Sequence, residues 1–98
     1  MTHYVAIIED AGPDHAVGVW FPDLPGCFSA GDTLDEALAN APEAIALWMD
    51  TMSEDGKPIP RPRTPSELRA DPEVAADMAK HVIALIPAPD LAFQPAAE

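Results

Sequence analysis

Apolar residues along this chain repeat at two spacings, and the switches between them mark the elements. His3 to Glu9 (His-Tyr-Val-Ala-Ile-Ile-Glu) is apolar at nearly every position, which predicts a strand covered on both faces. Asp10-Ala-Gly-Pro-Asp14 collects residues that tolerate tight backbone geometry, so it is a turn. His15 to Phe21 follows as the second strand of a hairpin. Pro22 and Pro25 lack backbone donors and fix φ, so they end that strand in a stiff corner, where Gly26 permits a conformation closed to other residues. Cys27 to Ala30 then adds a short third strand. A three-stranded antiparallel meander results.

From Thr33 the spacing becomes helical. Leu34, Ala37, Leu38, Ala41, Ile45, Trp48 and Met52 form one apolar stripe, predicting a helix to about Ser53 that Asp55-Gly56 ends. Thr33 and Glu36 make a capping box at its start, and Asp35 and Glu36 suit the positive end of the helix dipole. Pro42 lies inside the pattern and removes the bond to the Leu38 carbonyl, so one bent helix is expected. Lys57 to Pro65 holds Pro58, Pro60, Pro62 and Pro65 and reads as an extended connector. Asp71 can cap a short helix with Pro72 in its first position and Val74, Ala75 and Met78 on its buried side. His81 to Ile86 is the fourth strand, stopped by Pro87 and Pro89. Residues 90–98 have little left to bury and are expected to fray. The whole is an α+β domain: meander, helix, fourth strand, with a short extra helix before that strand.

Composition narrows the class. The chain has 98 residues, 48% of them hydrophobic, which suits a single folded domain rather than a disordered segment. No apolar run approaches the roughly 20 residues of a membrane span, and the start lacks a signal-peptide pattern. The single Cys27 cannot make an internal disulfide. A cytoplasmic location is therefore expected. Charge says more, because the net −12 is unevenly placed. Residues 1–56 carry eleven Asp and Glu and no Lys or Arg, whereas residues 57–69 hold Lys57, Arg61, Arg63 and Arg69 against Glu67. Such a surface repels phosphate backbones and attracts a basic protein. Solubility alone is the plainer use of the same charge.

Candidate chemistry is sparse. Glu9 and Asp10 end the first strand, where a two-metal nuclease would gather carboxylates, yet no other acids on the strand-rich segments join them. His3, His15 and His81 are scattered without ligand-like spacing, so no metal site is expected. Cys27 has no neighbouring His to activate it, and Gly26 and Gly31 belong to no phosphate-binding pattern. No cofactor and no catalytic residue is expected. Strands one and four are apolar on both faces while the long helix covers mainly one. A homodimer or higher oligomer would cover the other face or an open edge.

The layout and its motif residues resemble a known family. Tyr4-Val-Ala-Ile-Ile, Phe21-Pro-Asp-Leu-Pro-Gly-Cys27, Gly31-Asp-Thr-Leu-Asp-Glu-Ala37 and Glu54-Asp-Gly-Lys-Pro-Ile-Pro60 are similar, in matching order, to the HicB antitoxin family. The resemblance implies a partial RNase H-like fold (β-β-β-α-β) without nuclease activity, serving as the antitoxin of a type II toxin-antitoxin system. It implies as partner a small basic HicA toxin that cleaves mRNA, neutralised by masking its catalytic histidine and RNA surface. Residues 1–90 would be the toxin-binding domain and 91–98 a short tail. Many relatives continue into a DNA-binding ribbon-helix-helix or helix-turn-helix. The residues after strand four are rich in Pro and Ala rather than basic, so DNA binding is not assigned to this chain. The acids nearest the turns and helix start, Asp14, Asp23, Asp32, Asp35 and Glu36, are the candidate contacts, with the apolar corner residues Phe21 and Leu24 beside them. The plainer roles are solvated charges, a helix cap for Asp32, a tie within its own corner for Asp23 and core packing for Phe21. The alternative function is a stand-alone oligomeric regulatory module not paired with a HicA toxin.

Overall fold

The computed structural model describes residues 2–88 of the chain, so the tail at 91–98 lies outside the described residues. β1 (His3–Glu9) lies inside a four-stranded antiparallel sheet of order β3-β2-β1-β4, beside β2 (Val17–Trp20) and β4 (Val82–Pro87), with β3 (Phe28–Gly31) beyond β2. β1 is where the sequence predicts it. β2 is shortened at both ends by its turns, while β3 and β4 each start one residue later and gain one at the end. The gained residues are Gly31, paired with Val17, and Pro87, paired with His3, so Pro87 closes β4 from within rather than stopping it. The His15 N–H donates to the Gly12 carbonyl, which keeps His15 out of β2. The corner takes Phe21 and Cys27: the Leu24 N–H donates to the Phe21 carbonyl and the Cys27 N–H to the Leu24 carbonyl, each at 3.0 Å. Gly26 sits in the second of these turns at φ 87°, the left-handed backbone that glycine adopts without strain.

α1 (Leu34–Glu54) runs through Pro42 as one helix. Its stripe continues in phase across the proline, with Ala37, Ala41, Ile45 and Met49 as the buried line. The core line thus steps by four residues and takes Met49, while the predicted Leu34 is 37% exposed. The Thr33 hydroxyl accepts from the Glu36 N–H at 3.1 Å, and the Glu36 carboxylate accepts from the Asp32 N–H at 2.6 Å, one residue before the cap. At the other end Gly56 (φ 70°) reverses the chain, and the Lys57 N–H donates to the Met52 carbonyl and the Gly56 N–H to that of Ser53.

The two faces of the sheet are covered by different helices. Tyr4, Ala6 and Ile8 of β1 pack with Val17, Val19, Ile86 and the buried line of α1. Val5 and Ile7 point the other way, into a smaller cluster with Leu68 and Met78. Those two come from α2 (Pro65–Arg69) and α3 (Pro72–Lys80). The expectation that β1's second face needs another copy of the chain is therefore corrected: the chain covers that face itself. α2 is the element the proline-rich reading missed. Thr64 and Glu67 form a reciprocal capping box around Pro65, so a serviceable helix start hides in what looked like connector. α3 begins at the predicted Asp71 cap, whose side chain accepts from the Glu73 N–H.

Between the helices the connector changes face. Ile59 packs on the α1-side cluster and Leu68 lies in the other, so the chain crosses the sheet end between them. Two contacts hold the crossing. The Tyr4 hydroxyl donates to the Pro60 carbonyl, and Arg63 grips Asp23 in the corner.

Candidate partner-binding surface

Strand register divides the sequence-predicted site residues between two ends of the sheet. Val17 pairs with Gly31 and Glu9 with Gly18. The β1–β2 turn with Asp14, the ends of β1 and β3, and the first turn of α1 therefore lie at one end. Asp14, Asp32, Asp35 and Glu36 are all exposed there, joined by exposed Glu9 and Asp10. Lys80, at the entry to β4, brings a cation to the β1–β4 corner of this end, where it lines a cleft with His81, Glu9 and Asp10. The β3–α1 side carries carboxylates without Lys or Arg.

Phe21, Asp23 and Leu24 lie at the opposite end and are built into the fold. Phe21 is 2% and Leu24 0% exposed, both in the α1-side cluster. The Asp23 side chain is 7% exposed and accepts from both the Arg63 Nε (2.6 Å) and the Arg63 backbone N–H (2.7 Å). The tie that holds Asp23 comes from forty residues away rather than from its own corner. Arg63 also reaches Asp71 at 3.4 Å. The hydrogen bond to Asp23, more than any other contact, raises the guanidinium's pKa further above its already high value. Beside this pair the Tyr4 hydroxyl is pushed up to about 12, first by burial and then by the Asp23 charge.

Cys27 is 3% exposed, its Sγ donates to the Ala44 carbonyl at 3.5 Å, and burial pushes the thiol up to about 11. At neutral pH it is a packed apolar group rather than a nucleophile. His3 and His15 are exposed on separate elements, and the His81 ring meets Trp20 edge-on at a centroid distance of 5.3 Å. Among the described residues no group of three His, Cys, Asp or Glu converges to hold a metal ion. No helix of the described residues is long and apolar enough to cross a membrane.

A feature the sequence reading passed over lies between β3 and α1. Phe28 is 69% and Leu47 62% exposed, and both border an open groove that continues to Trp48 and Met52. The signal was present in the sequence. Leu47 stands off the apolar stripe of α1, within one turn of both Glu43 and Asp50 on the polar side.

Residues 4–91 match the model of a family described as the HicB-like antitoxin of bacterial toxin-antitoxin systems. The chain belongs to the HicB-like antitoxin family. It is 43% identical over 67 residues to antitoxin HicB 2 of Photorhabdus laumondii, a match covering 68% of this chain and 47% of that protein. Its fold is similar to the crystal structure of Burkholderia pseudomallei antitoxin HicB, with a TM-score of 0.70 and 33% identity over 89% of this chain and 63% of the other. It is also similar to a chain of the HicA3 and HicB3 toxin-antitoxin complex, with a TM-score of 0.70 and 26% identity over 90% of this chain and 99% of that one. This HicB-like chain therefore spans about half the length of the curated relative and under two thirds of the Burkholderia antitoxin.

Proposed function

We propose that this HicB-like chain is the binding part of an antitoxin, working without catalysis of its own, that neutralises a basic, mRNA-cleaving HicA-type toxin by occupying the surface on which the toxin holds RNA. The observation that carries the reading is the set of exposed carboxylates at the helix-start end of the sheet, Asp14, Asp32, Asp35 and Glu36, drawn from a stretch of 56 residues without Lys or Arg. A ribonuclease needs a positive face for phosphates, and carboxylates on a compact scaffold meet that face as the phosphates do. The likeness to a chain of the HicA3 and HicB3 complex supports the partner class. Asp32, Asp35, Glu36 and Asp14 are the proposed contacts, since they are exposed. Phe21, Asp23 and Leu24, buried at the opposite end, hold the proline corner in shape instead of touching the toxin.

The test begins with the neighbouring reading frame, where a short basic HicA-type protein is expected. Mixed with that protein, the chain should form a complex and stop RNA cleavage. The double reversal Asp32→Lys and Asp35→Lys should slow association about tenfold at low salt, with the thermal midpoint little changed. Association at an unchanged rate, or RNA degradation by the chain alone, defeats the proposal.

A second reading, association between copies, is favoured by β4. This edge strand carries no charged side chain and leaves Val82 49% and Leu85 56% exposed. Open apolar edges of this kind invite pairing with another strand. Sedimentation should find a dimer or larger species that Leu85→Glu converts to monomer; a wild-type monomer at all concentrations would remove this reading.

A further inference from the structure

We propose that the groove between β3 and α1 is the apolar half of the toxin-contact surface, taking an aliphatic or aromatic side chain that the partner presents among Lys and Arg residues. This inference rests on the toxin-binding reading above and goes beyond it by naming a surface that charge alone does not identify. The groove is open, measures about 420 Å³ and is lined by Cys27, Phe28, Ala44, Leu47, Trp48 and Met52 among others.

Three observations carry it. The first is exposure. Leu47 and Phe28 are the two most exposed large apolar side chains among the described residues, and both border the same groove. Phe28 pairs with Trp20, so strand alternation puts its ring on the face away from α1, and it meets the groove at the edge of β3. Adjoining apolar surface of this kind marks interaction sites more often than isolated exposed residues do.

The second observation is rigidity. The Trp48 indole N–H donates to the Pro25 carbonyl at 2.9 Å, and Cys27 is pinned to the Ala44 carbonyl, so two walls of the groove are tied across to the proline corner before any partner arrives. A prearranged pocket spares the ordering cost that otherwise weakens binding.

The third observation selects the occupant. Among the described residues no charged side chain lines the groove, but Glu43 and Asp50 flank Leu47 on the same outer face of α1, and Glu54 lies one turn beyond Asp50. A second copy seated here would bring its own Glu43 and Asp50 against these, since a two-fold interface presents each patch to itself. Like charges brought together in that way cost affinity. RNA is disfavoured for the same reason. A basic protein with an apolar anchor gains from both the groove and its rim.

The experiment compares the full chain with Leu47→Lys and Phe28→Ala, binding a HicA-type toxin whose catalytic histidine has been replaced. Both positions are exposed, so the melting curves should stay close to wild type. Affinity should fall at least about 30-fold for Leu47→Lys, as for a central anchor, and less for Phe28→Ala. In a Trp20→Phe background, complex formation should also shift the Trp48 emission. A wild-type complex that both variants form with undiminished affinity overturns the groove while leaving the toxin-binding reading intact. Failure of the wild-type chain to bind the toxin overturns both. A free-chain dimer that Leu47→Lys disperses makes the groove a self-interface and overturns the assignment.

Discussion

The corner and the helix-start end of the sheet use the same chemical group for opposite purposes. At the corner, the Asp23 carboxylate is almost wholly buried and accepts from the Arg63 side chain and its backbone N–H. At the other end, Asp14, Asp32 and Asp35 have exposed carboxylates, and Asp32 and Asp35 lie in a stretch without Lys or Arg. A carboxylate becomes structural when the fold delivers it a cation out of water, and stays available for recognition when none arrives. Both kinds lie in the same base-free run of sequence, so what separates them is the path of the later chain.

That contrast can be broken at the corner first. Asp23→Ala should cost about 2–3 kcal/mol, because it strands the Arg63 N–H and leaves the half-buried guanidinium with only the longer Asp71 contact. Denaturant unfolding would measure the loss, and a cost within the surface range of about 0.5 kcal/mol would show that the latch holds nothing.

Alkaline pH probes the same end. Tyr4 at about 12 and Cys27 at about 11 keep their protons in the folded chain after the unfolded chain has lost them. The unfolded state then binds fewer protons than the native state, so stability falls as pH rises. The loss begins near pH 9 with the thiol and ends near pH 12 with the phenol, on the order of 2 kcal/mol from each group. Chemical denaturation midpoints that stay flat from pH 8 to 11 would contradict it.

Gly31→Ala tests the backbone beneath the acidic end. A Cβ there would sit 2.5 Å from the Ala37 nitrogen and 2.8 Å from the Glu36 carbonyl carbon, both main-chain atoms that yield little. The expected cost is about 1–3 kcal/mol, with β3 and the start of α1 pushed apart. A crystal structure of the variant with both elements in place and full stability would sink that expectation. The charge reversal at Asp32 and Asp35 lies at the bottom of this stability order, and its larger effect is on association.

Local signals carried much of the architecture. Tyr4 to Ile8 read as a strand buried on both sides and is one, because an unbroken apolar run has no wet face to offer. Thr33 and Asp71 were readable as caps, since a cap is made by neighbours within a single turn. α2 was legible in principle from Thr64, Pro65 and Glu67, but four prolines in the same stretch suggested extended chain more strongly. The acidic run was visible as composition, and its position at one end of the sheet depended on the register of Val17 with Gly31.

What the amino-acid sequence determined alone was therefore everything set by contacts a few residues apart: the strands, the caps, the proline corner and the family-like order of its blocks. Three features belong to the tertiary structure. They are the second face of β1 covered by α2 and α3, Asp23 tied to Arg63, and the groove that leaves Leu47 and Phe28 in water. Each depends on segments far apart in the chain meeting in space. Propensity and periodicity describe one segment at a time, and only the packed fold decides which distant groups become neighbours.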